Sequence, residues 1–173
     1  MRLHIGGEEI KKGWKILNIQ KKPGVDFIGD ITDLSQFDDE SIEEVYASHV
    51  LEHVPMLKIA NTFNGIQRIL KKGGKLYISV PNLDLLSQLF FETAEGEKKI
   101  QIMKYIYGGQ VDSYDFHYVG YWPDFLFSTL INAKFKRYER VDYFNIFKDT
   151  SRMEVHAKNG VFPLSLNVIA YKD

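Results

Sequence analysis

Apolar residues in the first half of the chain fall in short runs separated by glycine, proline and acidic residues. That is the pattern of strands rather than of long helices. Five runs stand out: Arg2–Ile5, Lys15–Ile19 (KILNI), Val25–Gly29 (VDFIG), Ile42–Ala47 (IEEVYA) and Lys75–Val80 (KLYISV). The first runs straight into Gly6 and Gly7, the third ends at Asp30, and the fifth ends at Pro81, which has no N–H to give a sheet ladder. Between the fourth and fifth runs the period changes. Ile59, Phe63, Ile66 and Leu70 share one face of a helix predicted over 57–70. Arg68, Lys71 and Lys72 sit in its last turn, where the helix dipole favours cations, and Gly73–Gly74 are expected to stop it. A helix that feeds directly into another strand is a crossover, so the strands on either side should be parallel.

The second half reads differently. Leu85–Tyr107 is mostly helical in pattern, with a break at Glu95–Gly96. Gly108–Trp122 is a loop rich in aromatic residues, and Pro123–Ile131 is a helix with proline in its first turn and Asn132 as its C-cap. Phe135–Phe144 and Leu164–Tyr171 are strands with no helix between them, so they should pair antiparallel across a polar, irregular 145–163 connection. Five strands with crossovers and a terminal antiparallel pair define an α/β fold.

Composition narrows the function classes. The chain has 173 residues, 45% of them hydrophobic, which is one domain with material for a real core. Charged residues are 26% and the net charge is -1, so neither nucleic acid nor an anionic membrane is an expected partner. The lysine pairs at 11–12, 21–22, 71–72 and 98–99 read as solvated faces. With no cysteine there are no disulfides, thiolate metal sites or cysteine nucleophiles, and no metal site is expected. The opening MRLHIGGEEI is not a signal peptide, which makes a soluble cytoplasmic protein the expectation.

Four segments then carry a family resemblance. They are LHIGG (3–7) with GWKILNI (13–19) and PGVDFIGDITDL (23–34); IEEVYASHVLEHV (42–54); RILKKGGKLYISVPNLDLL (68–86); and VFPLSLNVIAYK (161–172). In kind and order they resemble the class I S-adenosyl-L-methionine (SAM)-dependent methyltransferases, and within them a small bacterial methyltransferase type 11-like subfamily. The resemblance implies one Rossmann-like domain over 1–173, with sheet order 3-2-1-4-5-7-6, the seventh strand antiparallel, and 86–122 as a substrate-lid insert. It implies SAM as cofactor, bound across the carboxyl ends of the central strands. The terminal antiparallel pair, read from the pattern alone, agrees with it.

The same resemblance assigns candidate residues, each with a plainer reading beside it. Gly6 and Gly7 would let the backbone approach the methionine end of SAM, or form an ordinary tight turn. Glu8 and Glu9 stand where the family has a further glycine and could repel the cofactor's carboxylate. Asn18 stands where an aspartate commonly binds the ribose hydroxyls. Its amide oxygen can still accept a hydrogen bond, without charge assistance. Asp30 would accept from the adenine amine with Ile31 packed on the ring, or Asp30 would simply cap a turn; Asp26 is a less favoured substitute for Asn18. Ser48 would bond the methionine end. His49 would act as base toward a hydroxyl acceptor, with His117 as a second candidate base. Glu52 and His53 follow one turn on, where a histidine bonded to backbone is the plain reading.

The aromatic run 105–122 either covers a small-molecule acceptor or packs as a lid or a contact between two copies of the chain, a homodimer. By analogy with the subfamily, the acceptor is a sugar or a surface-polysaccharide intermediate. The alternative, motivated by Glu8, Glu9 and Asn18, is a degenerate methyltransferase fold that serves as a binding or assembly module. A nicotinamide dehydrogenase fits poorly, because LHIGGEEIKKGW has neither G-x-G-x-x-G nor room for the helix behind it.

Overall fold

The computed structural model describes residues 1–157 and 160–173. Lys158 and Asn159, inside the 145–163 connection, lie outside the described residues. The main sheet has seven strands. They are β1 (Arg2–Ile5), β2 (Trp14–Asn18), β3 (Phe27–Ile28), β4 (Ile42–Ser48), β5 (Leu70–Pro81), β6 (Arg137–Val141) and, after a small hairpin, β9 (Ser165–Tyr171). Their spatial order is β3-β2-β1-β4-β5-β9-β6. Strands β1 to β5 pair parallel, while β9 runs antiparallel to both β5 and β6. Once the hairpin is set aside, this is the expected order 3-2-1-4-5-7-6.

The sheet's two faces are built differently. On one, Leu3, Ile5, Leu17, Val45, Ala47, Leu76 and Ile78 form an aliphatic core with Ile59, Phe63, Ile66 and Ile69 of α1 (Ile59–Ile69). Leu126 and Leu130 of a later helix (Pro123–Asn132) join the same core. On the other face Trp14, Tyr46, Tyr77 and Phe147 pack together with Phe144 and Ile169. A loop covers this second face. Asn167 Nδ2 donates to the carbonyls of Asp142 (2.6 Å) and Ser151 (2.8 Å), and the Tyr46 hydroxyl donates to Asp149 (2.8 Å), which straps that segment down. The six residues between Gly7 and Trp14 form no helix, so the cover has to come from elsewhere.

The structure corrects the sequence reading in three places. The helix predicted over 57–70 begins as a 3-10 turn at Met56–Lys58 and ends at Ile69, because Leu70 is already extended and paired with Ile42. The glycines therefore do not stop the helix; they lie within β5, where Gly73 N–H donates to the Lys172 carbonyl. Arg68 does not simply sit against the helix dipole. Its guanidinium holds the preceding loop through the carbonyls of Leu34 and Phe37 and the carboxylate of Asp39. The 145–163 connection is also not wholly irregular. It contains a 3-10 turn, Thr150–Arg152, and the antiparallel hairpin β7 (Glu154–Ala157) and β8 (Gly160–Pro163).

The helical stretch after β5 is two helices, α2 (Leu83–Glu92) and α3 (Gly96–Tyr107), broken near Glu95–Gly96 as expected, and the last helix is α4 (Pro123–Asn132). Among the described residues no helix is long and apolar enough to cross a membrane.

Candidate functional site

A cleft of about 690 Å³ opens at the carboxyl ends of β1, β2 and β4, a size typical of small-molecule sites. One wall is built from Gly6, Asn18, Gly29, Asp30 and Ile31; a second, adjoining it at Gly6 and Val50, from His49, Val50, His53 and the loop residues Val111–Asp115 and Tyr118.

Strand alternation explains the first wall. Leu17 points to the aliphatic core and Asn18, the next residue, ends β2 at the cleft. Asn18 is buried, and both ends of its amide are in use. Nδ2 donates to the Gly7 carbonyl at 3.3 Å and Oδ1 accepts the Gln20 N–H at 2.9 Å. Asp30 combines its two expected readings: Oδ1 accepts the Thr32 N–H at 2.8 Å, closing a turn, while the residue lines the cleft beside buried Ile31. Asp26 is spent elsewhere, on Ile16 N–H and Lys15 Nζ, and both contacts hold its carboxyl below the usual range.

The two glycines separate. Gly6 lies in the cleft wall with φ +73°, and a Cβ there would meet Val50 Cγ2 at 2.5 Å. Gly7 is buried and does not line the cleft; a Cβ there would meet the His4 ring at 2.3 Å. Glycine at 7 is therefore required by the aromatic face. Glu8 lies at the cleft rim, paired with Lys22 at 2.5 Å, so its charge is balanced locally. Glu9 turns away and accepts the Lys148 N–H at 3.1 Å. Ser48 falls on the Tyr46 side of β4 and does not line the cleft.

The second wall holds an ionisable cluster. The 3-10 turn Leu51–His53 directly follows β4 and places Glu52 in the interior, 1% exposed. The loop from Phe116 is strapped to this turn, because the N–H groups of Tyr118 and Val119 both donate to the Glu52 carbonyl. Three histidines surround the carboxylate. His49, with φ +53°, has Nδ1 3.2 Å from Glu52 Oε1 and Nε2 2.8 Å from Ser165 Oγ. His53 and His117 meet edge to face, ring centres 4.7 Å apart. Burial pushes the Glu52 carboxyl up, but the His49 contact and the charges of His49, His53 and His117 outweigh it, and the net shift is down. Burial is the main cause holding the His117 imidazole below its usual value, and the neighbouring Glu52 carboxylate only partly opposes it.

Of the candidates read from sequence, the structure brings Gly6, Asn18, Asp30, Ile31 and His49 to one cleft. His117 lies behind its wall, against His53, rather than on it. His49 Nε2 is hydrogen-bonded to Ser165 Oγ and Nδ1 faces the buried Glu52 carboxylate, so both ring nitrogens point at protein groups in this arrangement. Of the aromatic run, Tyr114 and Tyr118 line the cleft, Tyr121 is core, and Trp122 stacks on Phe125. Glu52 and His53 carry no role in the sequence pattern beyond following His49 by one turn. The H-x-x-E-H spacing at 49–53 was the available signal, but nothing local announced that His117 would join it.

Comparison with known proteins agrees with this architecture. Residues 7–78 match a family described as methyltransferase domain. No match was found among curated protein sequences. The chain is similar to a SAM-dependent methyltransferase from Archaeoglobus fulgidus, with 15% identity and TM-score 0.62, over 98% of this chain and 85% of that one. A SAM-dependent methyltransferase from Methanosarcina mazei gives 16% identity and TM-score 0.56, over 98% and 91%. The 1,6-didemethyltoxoflavin-N1-methyltransferase of Burkholderia thailandensis, solved with 1,6-didemethyltoxoflavin and S-adenosylhomocysteine, gives 13% identity and TM-score 0.53, over 92% of this chain and 61% of that one.

Proposed function

We propose that this chain, a domain of the class I SAM-dependent methyltransferase type, transfers the methyl group of SAM to a small-molecule acceptor bound between the Asp30 wall and the His49–Tyr118 wall. The observation that supports this most is the cleft at the carboxyl ends of the parallel strands, where the fold binds its ligands, with Gly6, Asn18, Asp30 and Ile31 all lining it. The family match over 7–78 takes in β2, β3 and the Gly29–Ile31 part of that wall, while β1 and Gly6 precede it.

SAM, when bound, supplies a methyl group on an already activated sulfonium, so the protein's task is mainly alignment. Ile31 offers an apolar face and Asp30 a carboxylate for the adenine. Gly6 offers backbone without a side chain for the methionine end. Asn18 is the weak point: its amide already serves Gly7 and Gln20, so it offers a ribose only the remaining lone pair of Oδ1, without charge assistance. Glu8 does not present a bare charge, because Lys22 pairs with it. Tyr114 and Tyr118 provide flat faces for an acceptor ring or sugar, and the sugar or surface-polysaccharide class remains the first to screen. The net charge of -1 supports a small-molecule rather than a nucleic-acid partner.

Titration calorimetry with SAM and S-adenosylhomocysteine tests this reading. Micromolar binding, lost on Asp30→Ala, is the expected result. The engaged amide of Asn18 favours one competing reading, a fold that has lost its cofactor. Under that reading neither ligand binds at millimolar concentration, and Asn18→Asp alone restores binding.

A further inference from the structure

We propose that Glu52, His53 and His117 form a binding site for a divalent first-row transition cation behind the acceptor wall of the cleft. One ligand atom from each of the three lies within 4.8 Å of the other two. Ligands at about 2.1 Å from an ion stand roughly 3 to 3.5 Å apart, so the cluster needs to close by only about an ångström or two.

Two further observations point to a ligand rather than to an ordinary buried ion pair. The first is Glu52. It is 1% exposed, and neither carboxylate oxygen has a hydrogen-bond partner among the described residues. The His49 imidazole stands 3.2 Å from its Oε1 without hydrogen-bond alignment. A carboxylate removed from water costs several kcal/mol unless its lone pairs are used, so both oxygens call for a cation.

The second is the state of the two histidines. His53 Nδ1 lies 3.1 Å from the Phe116 carbonyl and His117 Nδ1 lies 3.1 Å from the Tyr105 carbonyl. A carbonyl only accepts, so in each ring Nδ1 carries the proton. When neutral, each ring therefore keeps its lone pair on Nε2. Imidazole ligands in metal sites are held in this way, with the second nitrogen donating to backbone or carboxylate.

The scaffold holds the three together before any ion arrives. Glu52 and His53 share the 3-10 turn that ends β4, and the loop bearing His117 is bound to that turn through Tyr118 and Val119. Two imidazoles and one carboxylate suit zinc, manganese, iron or cobalt, whereas magnesium and calcium prefer all-oxygen shells.

His53 also lines the cleft, so the ion would stand at the acceptor wall. Its use in catalysis rests on the methyltransferase reading and specifies the acceptor as a hydroxyl compound. The hydroxyl oxygen coordinates the ion and its proton leaves to solvent. The new O–C bond then forms as the S–C bond of SAM breaks, with the electron pair left on sulfur. This offers acceptor activation that His49, whose ring nitrogens face Ser165 and Glu52, is not placed to give. Ion binding itself does not depend on that reading.

The test uses the purified chain, stripped with chelator and titrated without SAM. Zinc is followed by calorimetry and cobalt by its visible absorption. One equivalent should bind in the micromolar range or tighter, and His117→Gln and His53→Gln should each weaken it more than about tenfold. The His117→Gln variant should keep its SAM affinity, since that residue lies outside the cleft. A readout on the unaltered chain covers the case of variants that do not fold. On adding zinc, the ring nitrogens of His53 and His117 should shift in histidine NMR spectra while those of His4 stay put. The absence of stoichiometric binding at sub-millimolar zinc and cobalt overturns the proposal, and so does binding that leaves His53 and His117 unshifted. Failure of SAM binding with intact metal binding would overturn the methyltransferase reading alone.

Discussion

His4 and the group His49, His53 and His117 occupy two regions of one sheet that share a residue type and little else. His4 sits on the aromatic face, 5% exposed, its ring centre 4.0 Å from that of Phe147 and 5.1 Å from that of Tyr46. Burial pulls its pKa down to about 4, with Asp149 and Glu9 opposing weakly from a distance. The other three surround a buried carboxylate beside an open cleft. The contrast shows that a histidine becomes chemistry or packing according to what charge it faces. A ring among rings is held neutral and inert, whereas the rings around Glu52 face a buried carboxylate beside an open cleft.

Glu52→Gln should be the largest perturbation, since it keeps the shape and removes the charge that defines the second region. With an acceptor in hand, turnover should fall by about a hundredfold or more, while His4→Leu changes it less than twofold. Equal turnover in Glu52→Gln and the parent would erase the distinction. The next effect belongs to His4 and concerns stability. The unfolded chain takes up a proton at this side chain near pH 6.5, whereas the folded chain resists until about 4. The unfolded state therefore binds more protons in that window, and stability falls as pH drops through it, by about 3 kcal/mol in all. Urea titrations at several pH values should show the slope and should show it flattened in His4→Leu.

Gly7→Ala is expected to cost about 1 to 3 kcal/mol, because the added methyl meets the His4 ring. The fraction that folds should still bind SAM like the parent, and weakened binding would return Gly7 to the cofactor site. The smallest effect is at the rim. Glu8→Gln removes an exposed ion pair with Lys22, worth at most about 1 kcal/mol, so SAM affinity should move less than about fivefold. A tenfold gain would mean that Glu8 does repel the cofactor.

Much of the fold was legible because it is written in local periods. β1, β4 and β9, the break between α2 and α3, and the antiparallel end of the sheet all follow from short-range alternation and breakers. The helix end was misplaced because Leu70 satisfies a helical period and a strand pairing equally well, and only its partner Ile42 decides between them. The hairpin of β7 and β8 was missed because two four-residue strands in a polar segment carry almost no periodic signal. In the site, strand ends were legible and side-chain faces were not. Ser48 follows Ala47 by one residue and so turns to the opposite side of the sheet.

By itself the sequence determined the order of elements, the parallel core with its crossover, and the strand ends at which Gly6, Asn18, Asp30 and His49 had to appear. These depend on the spacing of apolar residues and on where the backbone can turn. Only the tertiary structure decided which face each of those residues presents and that Glu8 meets Lys22. It alone showed that His117, sixty-odd residues further along the chain, closes on Glu52 and His53. Those outcomes depend on distances between elements remote in sequence, and no local pattern of residues encodes a distance.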